Sequence, residues 1–248
     1  MLYQGVSNLH IYAITQTGMH KNENEDRIVV GKTILSSGMF RCTNHTGVVA
    51  VVDGVGGNNA GGIASHFVAN RIGDVTVCSK LFFEKINNDL ITLSNSDSKL
   101  QNMATTLTGF LYNDSEIFCY HIGNSRIYSL QAGNYLRQLT EDDTTLNYLI
   151  KTGRIEPDND CETVEKNEIT ACFGAGNPSL FDIKIYRIPD AQTFLFTTDG
   201  VHDFVSVDEL EEILQSEESL YVCCNLIADR AVTNGSTDDI SVVIAHKE

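Results

Sequence analysis

The chain has 248 residues, of which 42% are hydrophobic and 20% charged, the composition of an ordinary soluble globular protein. Lys and Arg total 17 against 33 Asp and Glu, which gives a formal net charge of −16. This balance argues against nucleic acid or an anionic membrane as a partner, because both require a basic face. No apolar run approaches the roughly 18 residues of a membrane-spanning helix, and residues 1–5 lack the basic start of a secretory signal. We therefore expect a cytoplasmic protein.

The seven cysteines indicate free thiols in a reducing compartment. Their number is odd and none forms a C-x-x-C pair, so neither a disulfide framework nor a redox motif is indicated. Cys119, Cys223 and Cys224 lie inside apolar runs, where a cysteine usually packs as a small hydrophobic residue.

The first half of the chain predicts strands in antiparallel blocks, with one helix among them. An apolar strand over 48–52 is followed by a helix over 61–72, and residues 87–101, rich in Asn, Ser and Asp, are predicted to be an inserted loop. A meander follows, because short turns join antiparallel neighbours. Its predicted strands are 105–112, 116–122, 126–130 and 135–139, with turns at 113–114, 123–124 and 132–134.

The second half predicts further helices outside the strands. A short helix covers 145–151, and apolar strands cover 194–198 and 240–244. A capping box at Ser206 and Glu209 opens a helix over 210–215. A further helix over 220–232 ends before Gly235. No linker or repeat divides the sequence, so we expect one α+β domain over residues 1–248.

Acidic segments lie where the strand-like runs begin or end, at four separate places. They are Asn24-Glu25-Asp26, Asp53-Gly54, Asp199-Gly200 and Asp238-Asp239. The comparable position after the run 116–122 holds Asn124 and breaks the pattern. Carboxylates brought together at strand ends would repel one another unless a divalent cation lay between them, and oxygen ligands suit hard cations. The pattern therefore indicates a metal site.

Residues 53–61, DGVGGNNAG, form the most specific local segment. Glycines allow backbone atoms to approach a ligand closely, so Asp53 is a candidate bridge between metal ions with the Gly54 carbonyl as a neighbouring ligand. The segment equally suits a tight strand-to-helix turn in which Asp53 caps the helix, and by itself it does not decide between the two. A nucleotide-binding loop fits less well, because the P-loop Lys-Ser/Thr and the G-x-G-x-x-G spacing are absent.

Seven segments in chain order resemble motifs of the metal-dependent Ser/Thr protein phosphatases of type 2C, in their bacterial form. They are 18–26 (GMHKNENED, for G-x-x-R-x-x-N-E-D), 52–57 (VDGVGG, for D-G-M-G-G), 105–107 (TTL), 122–128 (IGNSRIY, for G-D-S-R-x-Y), 139–144 (LTEDDT), 198–201 (TDGV, for S/T-D-G-L) and 236–241 (STDDIS, for G-x-D-N-I/V-T). The resemblance covers nearly the whole chain.

The resemblance implies a central antiparallel β-sandwich flanked by helices on both sides, in four αββα layers. It also implies a centre of two Mg²⁺ or Mn²⁺ ions, with a bridging water that attacks the phosphate in line. Residues 145–176 match the family's flap beside the active site. The ligands carried over are Asp53 as the bridge, Asp199 and Asp238 on the first ion, and the Gly54 carbonyl on the second, with Glu25 or Asp26 direct or through water.

Two departures concern phosphate binding and proton transfer. Lys21 stands where the family has an Arg that grips the substrate phosphate; Lys keeps the charge but loses the bidentate fork. Lys21 is thus a candidate catalytic and substrate-binding residue, with His20 as a further donor, although both also suit a surface role. Asn58 replaces a common His and cannot exchange protons near neutral pH.

Two further departures concern the metal site. Asn124 replaces an Asp that serves a third, weaker metal site in bacterial members, and an amide is the poorer cation ligand. We expect that third site to be weakened or absent, although Gly123-Asn124 also suits a hairpin turn. Asp239 replaces an Asn and adds negative charge beside Asp238.

The resemblance favours an active phosphatase acting on phosphorylated proteins, the substrates of a Ser/Thr kinase, and we expect a monomer. Lys21, Asn58 and Asn124 motivate the alternative of a catalytically weak or inactive regulatory module that binds phosphoprotein or metal. A third class, an ATP-binding fold with a D-x-G-x-G lid, is disfavoured because Val55 occupies a position that requires Gly.

Overall fold

Strands and helices alternate in blocks along the chain in the computed structural model, which describes residues 8–44, 46–55, 60–73, 75–113, 116–132, 134–156, 168–216 and 219–247. The strands are β1 Leu9–Gln16, β2 Arg27–Val30, β3 Thr33–Leu35, β4 Gly38–Asn44, β5 Gly47–Val52, β6 Gly54–Val55, β7 Ala104–Thr105, β8 Leu107–Tyr112, β9 Ile117–Ile122, β10 Arg126–Leu130, β11 Leu136–Gln138, β12 Lys184–Arg187, β13 Thr193–Thr197 and β14 Ile240–Lys247. The helices are α1 Ala60–Ile72, α2 Lys80–Ser96, α3 Thr145–Lys151, α4 Asp199–His202, α5 Val207–Ser216 and α6 Leu220–Thr233, with short 3-10 helices at Ser98–Leu100 and Pro178–Leu180.

Two six-stranded antiparallel sheets form the centre of the molecule. Their strand orders are β11-β10-β13-β14-β1-β4 and β12-β9-β8-β5-β2-β3, and β6 pairs with β7 in a separate small ribbon. Central strands are apolar on both faces because each sheet is covered twice. In β5, for example, Val49 and Val51 pack between the sheets, whereas Val48, Ala50 and Val52 pack against the helices.

Helices cover the outer face of each sheet. Buried side chains of α1 and α2 share one core with the outer face of the β5 sheet, and those of α5 and α6 share another with the outer face of the β14 sheet. The four αββα layers predicted from the family resemblance are confirmed. The predicted helix boundaries also hold locally: Ser206 and Glu209 form the capping box, and Gly235, at a φ of 101°, follows the last turn of α6.

The predicted loop at 87–101 is wrong, because most of it belongs to α2. Ser79 caps this helix by accepting a hydrogen bond from the Phe82 backbone. The polar residues that suggested a loop are used inside the fold. Asn87 is buried and its Oδ1 accepts from the Gly174 backbone at 2.8 Å. The Ser94 hydroxyl donates to the Leu100 carbonyl at 2.8 Å.

The predicted hairpin at Gly123-Asn124 is also wrong. β9 lies in one sheet and β10 in the other, so the segment between them crosses the sandwich instead of turning back beside its own strand. Gly123 has a φ of 107°, and a Cβ there would lie 2.5 Å from the Thr106 side chain. A tight crossing and a tight hairpin require the same residue types, so the local sequence does not distinguish them.

Two expectations drawn from composition can be compared with the described residues. Among them, no helix is both long and apolar enough to cross a membrane. Six cysteines are free thiols, of which Cys119, Cys223 and Cys224 are buried. Cys161 lies outside the described residues.

Candidate functional site

The antiparallel register brings the acidic strand ends to one edge of the sandwich. The first residue of β2 pairs with the last residue of β5, so Asp26 and Asp53 leave one sheet side by side. The last residue of β13 pairs with the third residue of β14, so Asp199 and Asp238 leave the other sheet in the same way. Side chains that are up to 212 positions apart in sequence thus face one region.

A cleft of about 520 Å³ opens at this edge. It is lined by the loop before β2, by the strand ends that carry the aspartates, and by part of the predicted flap. The lining residues are Lys21, Glu25, Asp53, Gly54, Val55, Glu168, Ile169, Cys172, Asp199 and Asp238. His20 is exposed and is not among them.

Asp53 and Asp199 lie at the floor of the cleft, where their charges oppose each other. Burial raises the pKa of Asp53 well above its ordinary value, and the neighbouring charge of Asp199 raises it further. Burial, followed by the charge of Asp238, raises the pKa of Asp199 to about 6. Carboxylates this close are destabilised as anions unless positive charge is supplied.

The backbone of Asp53 is held rigidly by the strand beside it. Its carbonyl accepts hydrogen bonds from the Thr105 hydroxyl at 2.6 Å and from the Thr106 backbone at 2.9 Å, and its own N–H donates to the Thr106 hydroxyl at 3.2 Å. At the next residue a Cβ on Gly54 would lie 2.4 Å from the Gly61 carbonyl, at the start of α1. Glycine is required here because the strand end and the helix meet backbone to backbone.

Glu25 and Asp26 occupy different positions although they are adjacent. Glu25 lines the cleft, and its Oε1 accepts a hydrogen bond from the Gly62 backbone at 3.2 Å. Asp26 is 1% exposed and lies beneath the cleft. Its Oδ2 accepts from the Thr198 and Ser241 hydroxyls at 2.9 and 2.7 Å, and burial raises its pKa to about 7.

Lys21 supplies the positive charge among these carboxylates. Its ammonium group contacts Asp238 and donates to Asp239 at 3.1 Å, with Glu25 at 3.9 Å. Burial lowers the pKa of Lys21, but the hydrogen bonds and charges of Asp238 and Asp239 outweigh burial, so the pKa is raised overall. Lys21 is therefore a fixed cation at the floor of the cleft.

Asn124 supports Asp199 from below the cleft. The Asn124 side chain is 3% exposed, and its amide donates to Asp199 Oδ2 at 3.0 Å. The Asn124 Oδ1 atom is buried and has no hydrogen-bond partner in the part of the chain that the structure describes. Asn58, the remaining departure noted in the sequence, lies outside the described residues.

The oxygen atoms that line the cleft are of the type that hard divalent cations prefer, although they do not already surround a cation position. Among the described residues, no three Asp, Glu, His or Cys side chains stand close enough to enclose a cation as they are, and Lys21 lies between Asp238 and Asp239. The available donors are nevertheless all oxygens, and they gather around one cleft. The pKa values of Asp53 and Asp199 are raised by burial first and by neighbouring carboxylates second, and bound cations would relieve that repulsion.

Sequence reasoning missed two features of the site. Asp239 holds the loop before β2, because its carboxylate accepts from the Gly18 and Glu25 backbones at 2.9 and 2.8 Å. The sequence feature that could have indicated this role is its position next to Asp238. Glu168 and Cys172 line the cleft from the flap side, and no local pattern indicates that.

Comparisons with known proteins agree with this geometry. Residues 37–220 match the model of the family described as protein phosphatase 2C. The serine/threonine phosphatase stp of Listeria monocytogenes is 26% identical over 253 residues, which cover 97% of this chain and 96% of that protein.

Solved structures show the same fold. The serine/threonine phosphatase PstP/Ppp of Mycobacterium tuberculosis superposes with a TM-score of 0.80 at 24% identity, covering 96% of this chain and 98% of that one. A catalytic domain of PstP solved in complex with two manganese ions gives a TM-score of 0.75 at 25% identity, covering 96% and 99%.

Proposed function

The chain belongs to the protein phosphatase 2C family and is a serine/threonine phosphatase, and we propose that it hydrolyses phosphoserine and phosphothreonine in proteins with two divalent cations at the floor of the cleft. One observation carries the proposal. Asp53, Asp199 and Asp238 leave different strands to line one cleft together with the ammonium group of Lys21. Such an arrangement holds cations and an anionic phosphate next to each other.

The ligand assignment is the one that the family resemblance implies, and it is supported by which of these residues line the cleft. Asp53 is at the floor and is the proposed bridge, with Asp199 and Asp238 on one ion. The Gly54 carbonyl and Glu25 would serve the other, since both line the cleft. Asp26 lies beneath and would act through water. When bound, the two cations supply a nucleophilic water at neutral pH and offset charge on the phosphoryl oxygens; Mg²⁺ and Mn²⁺ both suit these ligands.

The protein's own residues position this chemistry. Thr105 and Thr106 fix the backbone of Asp53, so the point from which its carboxylate projects is set before any ligand arrives. Lys21 places a positive charge where the phosphate enters, and its contacts with Asp238 and Asp239 keep the ammonium group from swinging away. A single ammonium provides charge without the paired geometry of a guanidinium, so phosphate orientation depends more on the cations.

A third cation site would be weakened by Asn124. The Asn124 amide donates a hydrogen bond to the Asp199 carboxylate. This hydrogen bond occupies an oxygen that a further cation would need as a ligand. Asn124→Asp should therefore raise the number of Mn²⁺ ions bound per chain from two to three, measured by equilibrium dialysis and elemental analysis. A wild-type protein that already binds three ions would refute this assignment.

The remaining proposals concern partners and location. The chain would act as one domain over residues 1–248, with a flap over residues 145–176, and as a cytoplasmic monomer that reverses the action of a Ser/Thr kinase. The name of the Listeria relative supports the link to Ser/Thr phosphorylation, and a net charge of −16 disfavours nucleic acid and anionic membranes as partners.

The decisive test is the substitution Asp53→Asn. Hydrolysis of p-nitrophenyl phosphate and of a phosphothreonine peptide in Mn²⁺ should fall at least about a hundredfold. Asp182→Asn is the matched control, because Asp182 is 70% exposed and pairs only loosely with Lys80 at 3.8 Å; it should retain full activity. No hydrolysis by the wild-type protein above a metal blank would instead favour the regulatory module, in which Lys21 stays committed to Asp238 and Asp239.

A further inference from the structure

Glu168 is the one carboxylate of the described cleft lining that belongs to neither the strand ends nor the loop before β2. It lies on the flap side with Ile169 and Cys172. The charges that act most strongly on Asp53 are those of Asp199, Asp26, Asp238 and Lys21. Glu168 is therefore a wall residue of the cleft and not part of the proposed ligand set.

The position of Glu168 is fixed by the start of α3. Its carbonyl accepts from the Thr145 backbone at 2.9 Å, and its Oε2 accepts from the Thr145 hydroxyl at 3.0 Å. The next residue, Ile169, forms an antiparallel bridge with Thr144. An exposed carboxylate held at both backbone and side chain loses little entropy when it meets a partner, so its charge is available to a ligand in the cleft.

The charge of Glu168 is not neutralised by the site beside it. Lys21 is the basic residue in the described lining, and it is bound to Asp238 and Asp239. No salt bridge to Glu168 occurs within the described residues, and its side-chain hydrogen bond comes from a neutral hydroxyl. Because Glu168 lines the same cleft as the proposed ligands, its charge faces the space that a phosphorylated polypeptide would enter.

We propose that Glu168 is a specificity residue that selects phosphoproteins carrying Lys or Arg next to the phosphorylated Ser or Thr. The inference rests on the proposed function and names its substrate class. A basic side chain would pair with the free Glu168 oxygen at the wall, whereas an acidic side chain would be repelled by it. Exposed pairs of this kind change kcat/KM by about two- to fivefold.

The test uses two phosphothreonine peptides that differ only in the residue after the phosphothreonine, Arg in one and Glu in the other. The measured quantity is the ratio of their kcat/KM values, which does not depend on the active fraction of each preparation. The wild-type ratio should favour the Arg peptide and fall with added salt. Glu168→Gln should reduce the ratio about two- to fivefold, and Glu168→Lys should invert it.

Glu212→Gln is the matched control, since Glu212 is exposed on α5 and outside the cleft lining; it should leave the ratio unchanged. If both peptides are hydrolysed but the ratio is the same in the wild type and in Glu168→Gln, the role of Glu168 is overturned while the phosphatase assignment stands. If the wild-type protein hydrolyses neither peptide, the proposed function fails and the inference fails with it.

Discussion

The two walls of the cleft are each held by one acidic side chain, and they differ in what else that side chain touches. Asp239 holds the loop before β2 through the Gly18 and Glu25 backbones and also binds Lys21. Asp143 anchors the segment beside the flap: its carboxylate accepts from the Gly123 backbone at 3.0 Å and pairs with Lys184, and its backbone carbonyl accepts from the Thr170 N–H at 2.8 Å.

The two walls are therefore expected to be coupled to the proposed cations to different extents. Asp239 is 2% exposed and lies next to the proposed ligand Asp238, so a change there reaches the cleft floor. Within the described residues, the hydrogen bonds of Asp143 reach no proposed ligand. The first wall should therefore affect metal affinity, and the second should affect substrate choice.

The largest expected effect comes from Asp239→Ala. It removes the acceptor of the Gly18 and Glu25 backbone N–H groups and one of the two carboxylates that bind Lys21, so the free energy of unfolding should fall by about 3 kcal/mol. Affinity for Mn²⁺ should fall severalfold because negative charge is lost beside Asp238. Urea denaturation and calorimetric titration measure the two effects. Asp89→Ala, at an exposed pair with Lys85, is the control and should change neither; unaltered Mn²⁺ affinity in Asp239→Ala would contradict the coupling.

The next effect is a pH dependence of stability that arises from Asp26, which is buried beneath the cleft. Asp26 ionises near its ordinary value of 3.8 in the unfolded chain, whereas the folded protein keeps its proton up to about pH 7. The unfolded state therefore binds fewer protons between these values, and stability falls as pH rises through that window. Asp26→Asn keeps an acceptor for Thr198 and Ser241 but cannot ionise.

In EDTA, the stability of Asp26→Asn relative to the wild type should therefore increase by about 2 kcal/mol between pH 4 and pH 6. The increase should level off above about pH 7. Thermal or urea unfolding at several pH values measures it. A difference that is the same at every pH would show that Asp26 is ionised throughout.

The smallest effect belongs to the second wall. Asp143→Ala should lower the free energy of unfolding by about 1–2 kcal/mol, because one backbone donor and Lys184 lose their acceptor. Mn²⁺ affinity should stay within a factor of about two, while the preference between the two phosphothreonine peptides weakens, because the segment before Thr144 and Thr145, which hold the Glu168 region, loses its side-chain anchor. Asp182→Ala serves as the exposed control. Loss of Mn²⁺ affinity in Asp143→Ala would contradict the claim that only the Asp239 side of the cleft is coupled to the cations.

Elements with a strong local signal could be predicted from the sequence, and the misses have physical causes. The helix Thr145–Lys151 was predicted at its observed bounds, because its cap and apolar spacing are local. Residues of α2 such as Asn87 and Ser94 have low helix propensity, but buried hydrogen bonds and tertiary packing compensate. The crossing at Gly123 was taken for a hairpin because both need a positive φ.

The layered fold class and the residue types available to a metal centre follow from the sequence alone, because the motif order and the acidic strand ends are local features of the chain. Three features arise only from tertiary contacts: Glu25 lines the cleft while Asp26 lies beneath it, Lys21 pairs with Asp238 and Asp239, and Glu168 lines the same cleft. These are contacts between segments far apart in sequence, and no local pattern encodes a distance across the cleft.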